Sequence, residues 1–364
     1  MLNILEQPWL STPKSGQLVD LLEAPQSFTW SFPEMYGNHV FKRDAELALK
    51  HSPAALKLLR YTDSLVLQRS VVLDCESFQI SEGSYFRENM KGFHGALHRL
   101  GNNQFKTKVP FNGQYDVTDK PIYSIDTDWP NGFGHILLDS LPRLWALHSA
   151  PKDAILVNTL AHQEILRFFL AALDIDPNRL HFLKRPVLTR DFYSADASFN
   201  RKEWLHPQFW EIINKIKSFS LRISSIEPKN FPKKLYVSRK NLDTHTLSNE
   251  DEIEKIFIDK GFVSIAPEKL PIWDQIALYS QVDEMAGTGG TAMHMALFGK
   301  PNLKVLIMSS PNWFYNADTI LSQGFPSRLC HVVGYQPDFT YRNQSPWTIN
   351  KEDVKLGLEK HFGY

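Results

Sequence analysis

From Pro121 onward, apolar and polar positions fall into short alternating blocks. PIYSID (121–126) reads as a strand, GHILLDSLPRLWALHS (134–149) as a helix and AILVNT (154–159) as a strand. HQEILRFFLAAL (162–173) then reads as a helix and LHFLK (180–184) as a strand. Short apolar runs separated by longer amphipathic ones write a parallel sheet with crossover helices. A long amphipathic helix, PQFWEIINKIKSFSLRI (207–223), follows, and SSIEPKNFPKK (224–234) has the prolines and basic residues of a linker.

Beyond that linker the alternation restarts. KLYVSR, FVSIAP, DEMAGT and LKVLIM predict strands. NEDEIEKIFIDK, PIWDQIALYSQ and the glycine-led GGTAMHMALFG predict the helices between them. Asn249 with Glu252 three residues on has the spacing of a capping box, and Gly261 is placed to end that helix. The first 70 residues carry a weaker pattern, with a short helix expected around AELALKHSPAALKLLR (45–60). VVLDCESFQI and ALHRLGNNQFKTKVPFN read as strand and turn material. The expected organisation is α/β, with two Rossmann-like domains facing a cleft. The first domain spans 1–228, the second 229–340, and a C-terminal helix at 341–364 packs back across the boundary.

Composition narrows the function classes. Lysine plus arginine and aspartate plus glutamate number 40 each, so the chain lacks the basic surplus that displaces counterions from nucleic acid. The two cysteines, Cys75 and Cys330, form no CxxC. A reducing compartment is the simpler expectation. No signal peptide and no apolar run of spanning length is apparent. The expected location is the cytoplasm, free or at the inner face of the membrane.

Four stretches can carry chemistry. In GHILLDSLPRLW, His135, Asp139 and Arg143 recur at i, i+4 and i+8, which stacks an imidazole, a carboxylate and a guanidinium on one helical face. Charges in so apolar a helix must pair or line a cavity. They form either a structural ion network or a catalytic wall, with His135 or Asp139 taking a proton and Arg143 orienting the site. In AGTGGTAMHM, Gly287, Gly289 and Gly290 lie between strand and helix, where backbone N–H groups attract phosphate. Arg239 in SRK ends a strand, the end that faces the ligand crevice of a parallel sheet. A fourth stretch, Asp126 and Asp128 in DTD, has the form of a metal-binding DxD pair, a pattern also common in loops. No GxSxG, P-loop or HExxH occurs.

In this order the stretches resemble glycosyltransferase family 61, whose bacterial members are often described as capsular polysaccharide biosynthesis proteins. GHILLDSLPRLW resembles the family's GHWLLDxLPRLW, and LYVSRK its strand ending in SR. NEDE at 249–252, Gly261-Phe262, Gln275 and GTGGTAMHM followed by Phe298 continue the series. The family's histidine falls on Gly289, its alanine on Thr291, and its second arginine at about His245. The resemblance implies a GT-B architecture and an inverting transfer from a nucleotide-sugar donor, as co-substrate, to a growing cell-surface glycan. It implies no cofactor and no metal, which sets DTD aside. His135 and Asp139 would be catalytic and Arg143 acceptor-side. Ser238, Arg239, Asn249, Glu250, Gly287, Gly289, Gly290 and Thr291 would serve the donor and its diphosphate. The alternative is a catalytically silent glycan-binding or scaffold subunit of the same fold.

Overall fold

The computed structural model describes residues 9–10, 15–29, 33–38, 50–77, 80–81, 96–101, 104–107, 113–127, 129, 132–159, 162–200, 204–240, 242, 246–311, 316–324, 328–337 and 345–364. Asp128, His245 and residues 45–49 of the expected early helix lie outside them. The chain divides into two compact units. One comprises Met1–Pro25 with Ala54–Phe199, the other Gln26–Pro53 with Asn200–Tyr364. Residues 200–228 thus belong to the second unit rather than to the first, where the sequence pattern places them. The reason lies in the Gln208–Ile223 helix, which buries Phe209, Ile212, Ile213 and Ile216 and packs against the Ile272–Tyr279 helix. That spacing makes one apolar stripe, and each such side chain stabilises by about 1.5–3 kcal/mol when removed from water.

The first unit is built on an eight-stranded mixed sheet. Four of its parallel strands lie in the order Leu180–Phe182, Ile155–Asn158, Ile122–Ser124, Val187–Ala195, or third, second, first and fourth among themselves in chain order. Leu56–Leu67 runs antiparallel to Val187–Ala195, and Gln17–Leu22 antiparallel to Leu56–Leu67. Residues 56–60, expected as helix, are therefore strand. Leu56 and Leu58 are buried while Lys57 between them is exposed, a period-two pattern on which strand pairing overrides helix propensity.

The second unit holds a six-stranded sheet that is parallel throughout. Its order is Val263–Ile265, Lys234–Val237, Glu284–Thr288, Lys304–Ser309, Arg328–Val333, Glu34–Gly37. The first five read second, first, third, fourth, fifth in chain order, the order of one common doubly wound sheet. Tyr236, Ala286, Leu306, Met308, Cys330 and Val332 form one core with Ile253 and Phe257 of the Glu250–Ile258 helix. Val354, Leu358 and Phe362 of the C-terminal helix complete it, on the strands of its own unit. No helix of the described residues is long and apolar enough to cross a membrane.

Candidate functional site

The helix that carries His135 leaves the carboxyl end of Ile122–Ser124, the strand at which the order of the first sheet reverses. Ligands gather at that point in open α/β sheets. The helix is not uniform. Phe133–His135 is α, Ile136–Ser140 is a π turn and Leu141–Ser149 is 3-10. Pro142 has no N–H for the ordinary i to i−4 bond, so the chain changes pitch around it. The even stacking of i, i+4 and i+8 does not survive this change.

His135 and Asp139 do meet. Their Nδ1 and Oδ2 atoms lie 2.6 Å apart, and Thr127 Oγ1 also donates to Asp139 Oδ2, at 3.3 Å. The carboxylate is fully buried, while the imidazole keeps 22% of its side-chain surface exposed. The imidazole Nδ1 is committed to this carboxylate. Trp129 stacks on the imidazole, ring centroids 6.3 Å apart and planes 19° apart. A Cβ on Gly132 would fall 2.7 Å from the imidazole Cδ2, so glycine there lets the ring sit where it does.

Arg143 turns toward a neighbouring strand and donates from Nη1 to the Ala195 carbonyl at 2.7 Å. Its own carbonyl accepts from the Tyr123 hydroxyl. Burial draws the guanidinium below its ordinary value, against the raising effect of Asp139 and Asp196. Asp126 is occupied by the fold. Its carboxylate accepts from Ser70 N at 2.9 Å, from Thr159 N at 2.8 Å and from Thr159 Oγ1 at 2.7 Å.

In the second unit Val237 and Gly287 are register partners on adjacent strands, so Ser238–Arg239 and Gly289–Thr291 emerge side by side at the reversal of strand order. Gly290 has φ +143°, and a Cβ there would lie 3.0 Å from Arg239 Nη1. Arg239 and the glycine turn are therefore in contact, and only glycine suits both the backbone and the approach. A Cβ on Gly287 would meet Met293 Sδ and the Val237 carbonyl at 2.8 Å, so its role is close strand packing. Gly289 is different: a Cβ would find Ser309 Oγ at 3.4 Å, and the position has room for a small side chain.

Glu250 braces this corner. Its Oε1 accepts from Arg239 N at 2.8 Å and from Ser238 Oγ at 3.2 Å. Burial pushes the Glu250 carboxyl up, and those two bonds oppose the shift. Burial also lowers Arg239, opposed by Glu250 and Glu268. Asn249 sits at the helix start without a side-chain cap. Its amide instead donates to the Ile349 carbonyl at 2.9 Å and accepts from Ile349 N at 3.2 Å, so the expected capping box gives way to a tie with the C-terminal segment.

Sequence reasoning missed Thr127, the centre of DTD, and Trp129, which follows it. It also missed a second imidazole–carboxylate pair, His294 Nδ1 and Asp318 Oδ1, at 2.6 Å. No local signal joins residues 24 apart in the chain. With both side chains about 5% exposed or less, this pair ties the Thr291–His294 turn to the Asn316–Gly324 helix.

The first sheet thus carries an imidazole–carboxylate pair at its reversal point, and the second an arginine against a glycine turn at its own. The family model Glycosyltransferase 61 matches residues 133–306, a stretch that contains both sites. The match covers just under half of the chain and makes glycosyltransferase family 61 the family this chain resembles. No curated protein matches the chain.

Proposed function

We propose that this protein is an inverting, metal-independent glycosyltransferase of GT-B architecture. It moves a sugar from a nucleotide-sugar donor to a growing capsular-type surface polysaccharide at the cytoplasmic side of the membrane. The observation that carries the reading is the contact of Arg239 with Gly290 at the reversal point of a doubly wound sheet. A guanidinium and backbone N–H groups there suit a diphosphate.

In the proposed reaction an acceptor hydroxyl attacks the anomeric carbon as the bond from that carbon to the diphosphate oxygen breaks. His135 Nε2 takes the hydroxyl proton, and Asp139 stabilises the imidazolium. Its complete burial makes Asp139 a positioning group and leaves His135 as the base. Such a base contributes roughly 10²–10⁴-fold. The leaving diphosphate gains charge, which Arg239 and the amides of Gly290 and Thr291 offset without a metal. Ser238 and Glu250 hold Arg239 in place, and Asn249 fixes the helix start behind them. Arg143 anchors the His135 helix, and Trp129 offers an aromatic face to the acceptor sugar.

The absence of the family's histidine at Gly289 favours a second reading, a catalytically silent glycan-binding subunit. Thermal-shift screening with nucleotides and nucleotide sugars, followed by donor hydrolysis and transfer assays, separates the two. A ligand at 100 times its Kd adds about 2.7 kcal/mol to stability. Nucleotide binding with turnover supports the enzyme, and binding to glycan alone supports the silent subunit.

A further inference from the structure

Three side chains from distant parts of the sequence converge in the second unit, apart from the residues assigned to glycosyl transfer. Glu34 and Cys330 are direct register partners on the adjacent parallel strands Glu34–Gly37 and Arg328–Val333. His361 comes from the last helical turn, Leu358–Phe362. Its Nδ1 lies 3.1 Å from Glu34 Oε2. One ligand atom from each residue, a carboxylate oxygen, the thiol sulfur and an imidazole nitrogen, lies within 4.8 Å of the other two. Cys330 and His361 are buried and Glu34 is partly so.

We propose that Glu34, Cys330 and His361 form a zinc site that fastens the early edge strand and the C-terminal turn to the sheet. Thiolate and imidazole ligands select zinc over magnesium or calcium, which take oxygen ligands in larger number. Zinc bonds of about 2.0–2.3 Å in a tetrahedron set ligand atoms about 3.3–3.8 Å apart, so the trio, whose ligand atoms lie within 4.8 Å of one another, closes by at most about 1–1.5 Å on the metal. Rigid supports favour the site, since two ligands lie in register on paired strands and the third is on a helical turn packed against them. On binding, the Cys330 thiol proton passes to solvent and the sulfur bonds the metal as thiolate. Water completes the fourth position. This metal holds structure together and touches no reacting atom.

Cobalt(II) tests the site directly, because a thiolate ligand gives it a near-ultraviolet charge-transfer band that turnover does not influence. The full-length protein, stripped with EDTA and titrated with cobalt, should develop this band with tetrahedral visible bands, saturating at one ion per chain. Zinc should then bleach both. Cys75→Ser should keep the spectrum and Cys330→Ser should lose the charge-transfer band. His361→Gln should bind zinc more than about tenfold more weakly, the range that loss of even a supporting group reaches. Circular dichroism on each variant separates loss of ligand from loss of fold. If Cys330→Ser does not fold, His361→Gln carries the test alone. Absence of the charge-transfer band in the wild type, its survival in folded Cys330→Ser, or unchanged zinc affinity in His361→Gln overturns the proposal.

Discussion

Asp139 is wholly buried, and its carboxylate meets a partly exposed imidazole, that of His135, at 2.6 Å. In the proposed reaction, burial divides the labour within the pair. His135→Gln should lower kcat by about 10²–10⁴-fold while leaving nucleotide affinity unchanged, as read by calorimetry. Asp139→Asn should lower rate more than melting temperature. Asp139→Ala should destabilise by about 3–5 kcal/mol, because it removes a charge that offsets the burial of Arg143. A structural ion network predicts the opposite: depressed melting temperatures with normal rate per folded molecule.

Arg239→Ala should weaken nucleoside diphosphate binding by about 1.5–3 kcal/mol, the range for hydrogen bonds to charged groups. The neighbouring glycines should part company. Gly290→Ala places a methyl 3.0 Å from Arg239 Nη1 on a backbone at φ +143°, and should reduce both stability and nucleotide affinity. Gly289→Ala should stay within about 0.5–1 kcal/mol of wild type in stability. Equal losses at the two positions, measured by chemical denaturation and calorimetry, would contradict this geometry.

Glu250→Gln should change how stability depends on pH. Burial raises the folded-state pKa of Glu250 above its unfolded value, so the folded protein holds that proton more tightly. Stability from this group is present below the unfolded value of about 4.3 and is lost as pH rises through the folded one. The variant keeps an acceptor for Arg239 N but cannot ionise. Its stability relative to wild type should therefore improve as pH rises from about 4 to neutrality, measured by urea denaturation across that range.

Magnesium and manganese should have no specific effect on transfer. If EDTA reduces activity through loss of the zinc proposed at Cys330, zinc alone should restore it. Restoration by magnesium or manganese would instead favour a DxD site. Asp126→Asn presents an amide where the carboxylate accepts from Ser70 N and Thr159 N. It should destabilise by about 1–3 kcal/mol through the unsatisfied group, with the rate of the folded fraction intact.

The alternation of strand and helix after Pro121 was legible because buried parallel strands read as apolar runs whatever surrounds them. Leu56–Leu67 was not. Its leucines and basic residues favour helix locally, and only pairing with Val187–Ala195 makes it strand. That partner strand itself carries Arg190 and Asp191 at its centre, which obscures its apolar pattern. At the first candidate site, the His135–Asp139 pair followed from helical spacing because a single turn separates the two residues. Arg143 lies beyond Pro142, where the pitch changes, and spacing alone could not place it. The Asn249 motif had the residue types of a capping box, but Ile349, 100 residues away, competes for its amide. Pairings over such distances leave no mark on local pattern.

The edge strand Glu34–Gly37 also sets a timetable for synthesis. Residues 26–53 belong to the second unit, yet the chain then makes Ala54–Phe199 of the first before returning. The register partner of Glu34–Gly37 ends at Val333, about 300 residues later. At roughly 5–20 residues per second the ribosome takes on the order of 15–60 s to deliver it. During that interval the nascent chain has everything needed to assemble the sheet behind His135. The sheet behind Arg239 still awaits its neighbour for the first strand made. The half of the molecule proposed to bind acceptor is therefore ready to fold before the half proposed to bind donor. A chaperone or a pause in translation would act on a strand that has left the ribosome long before it can pair.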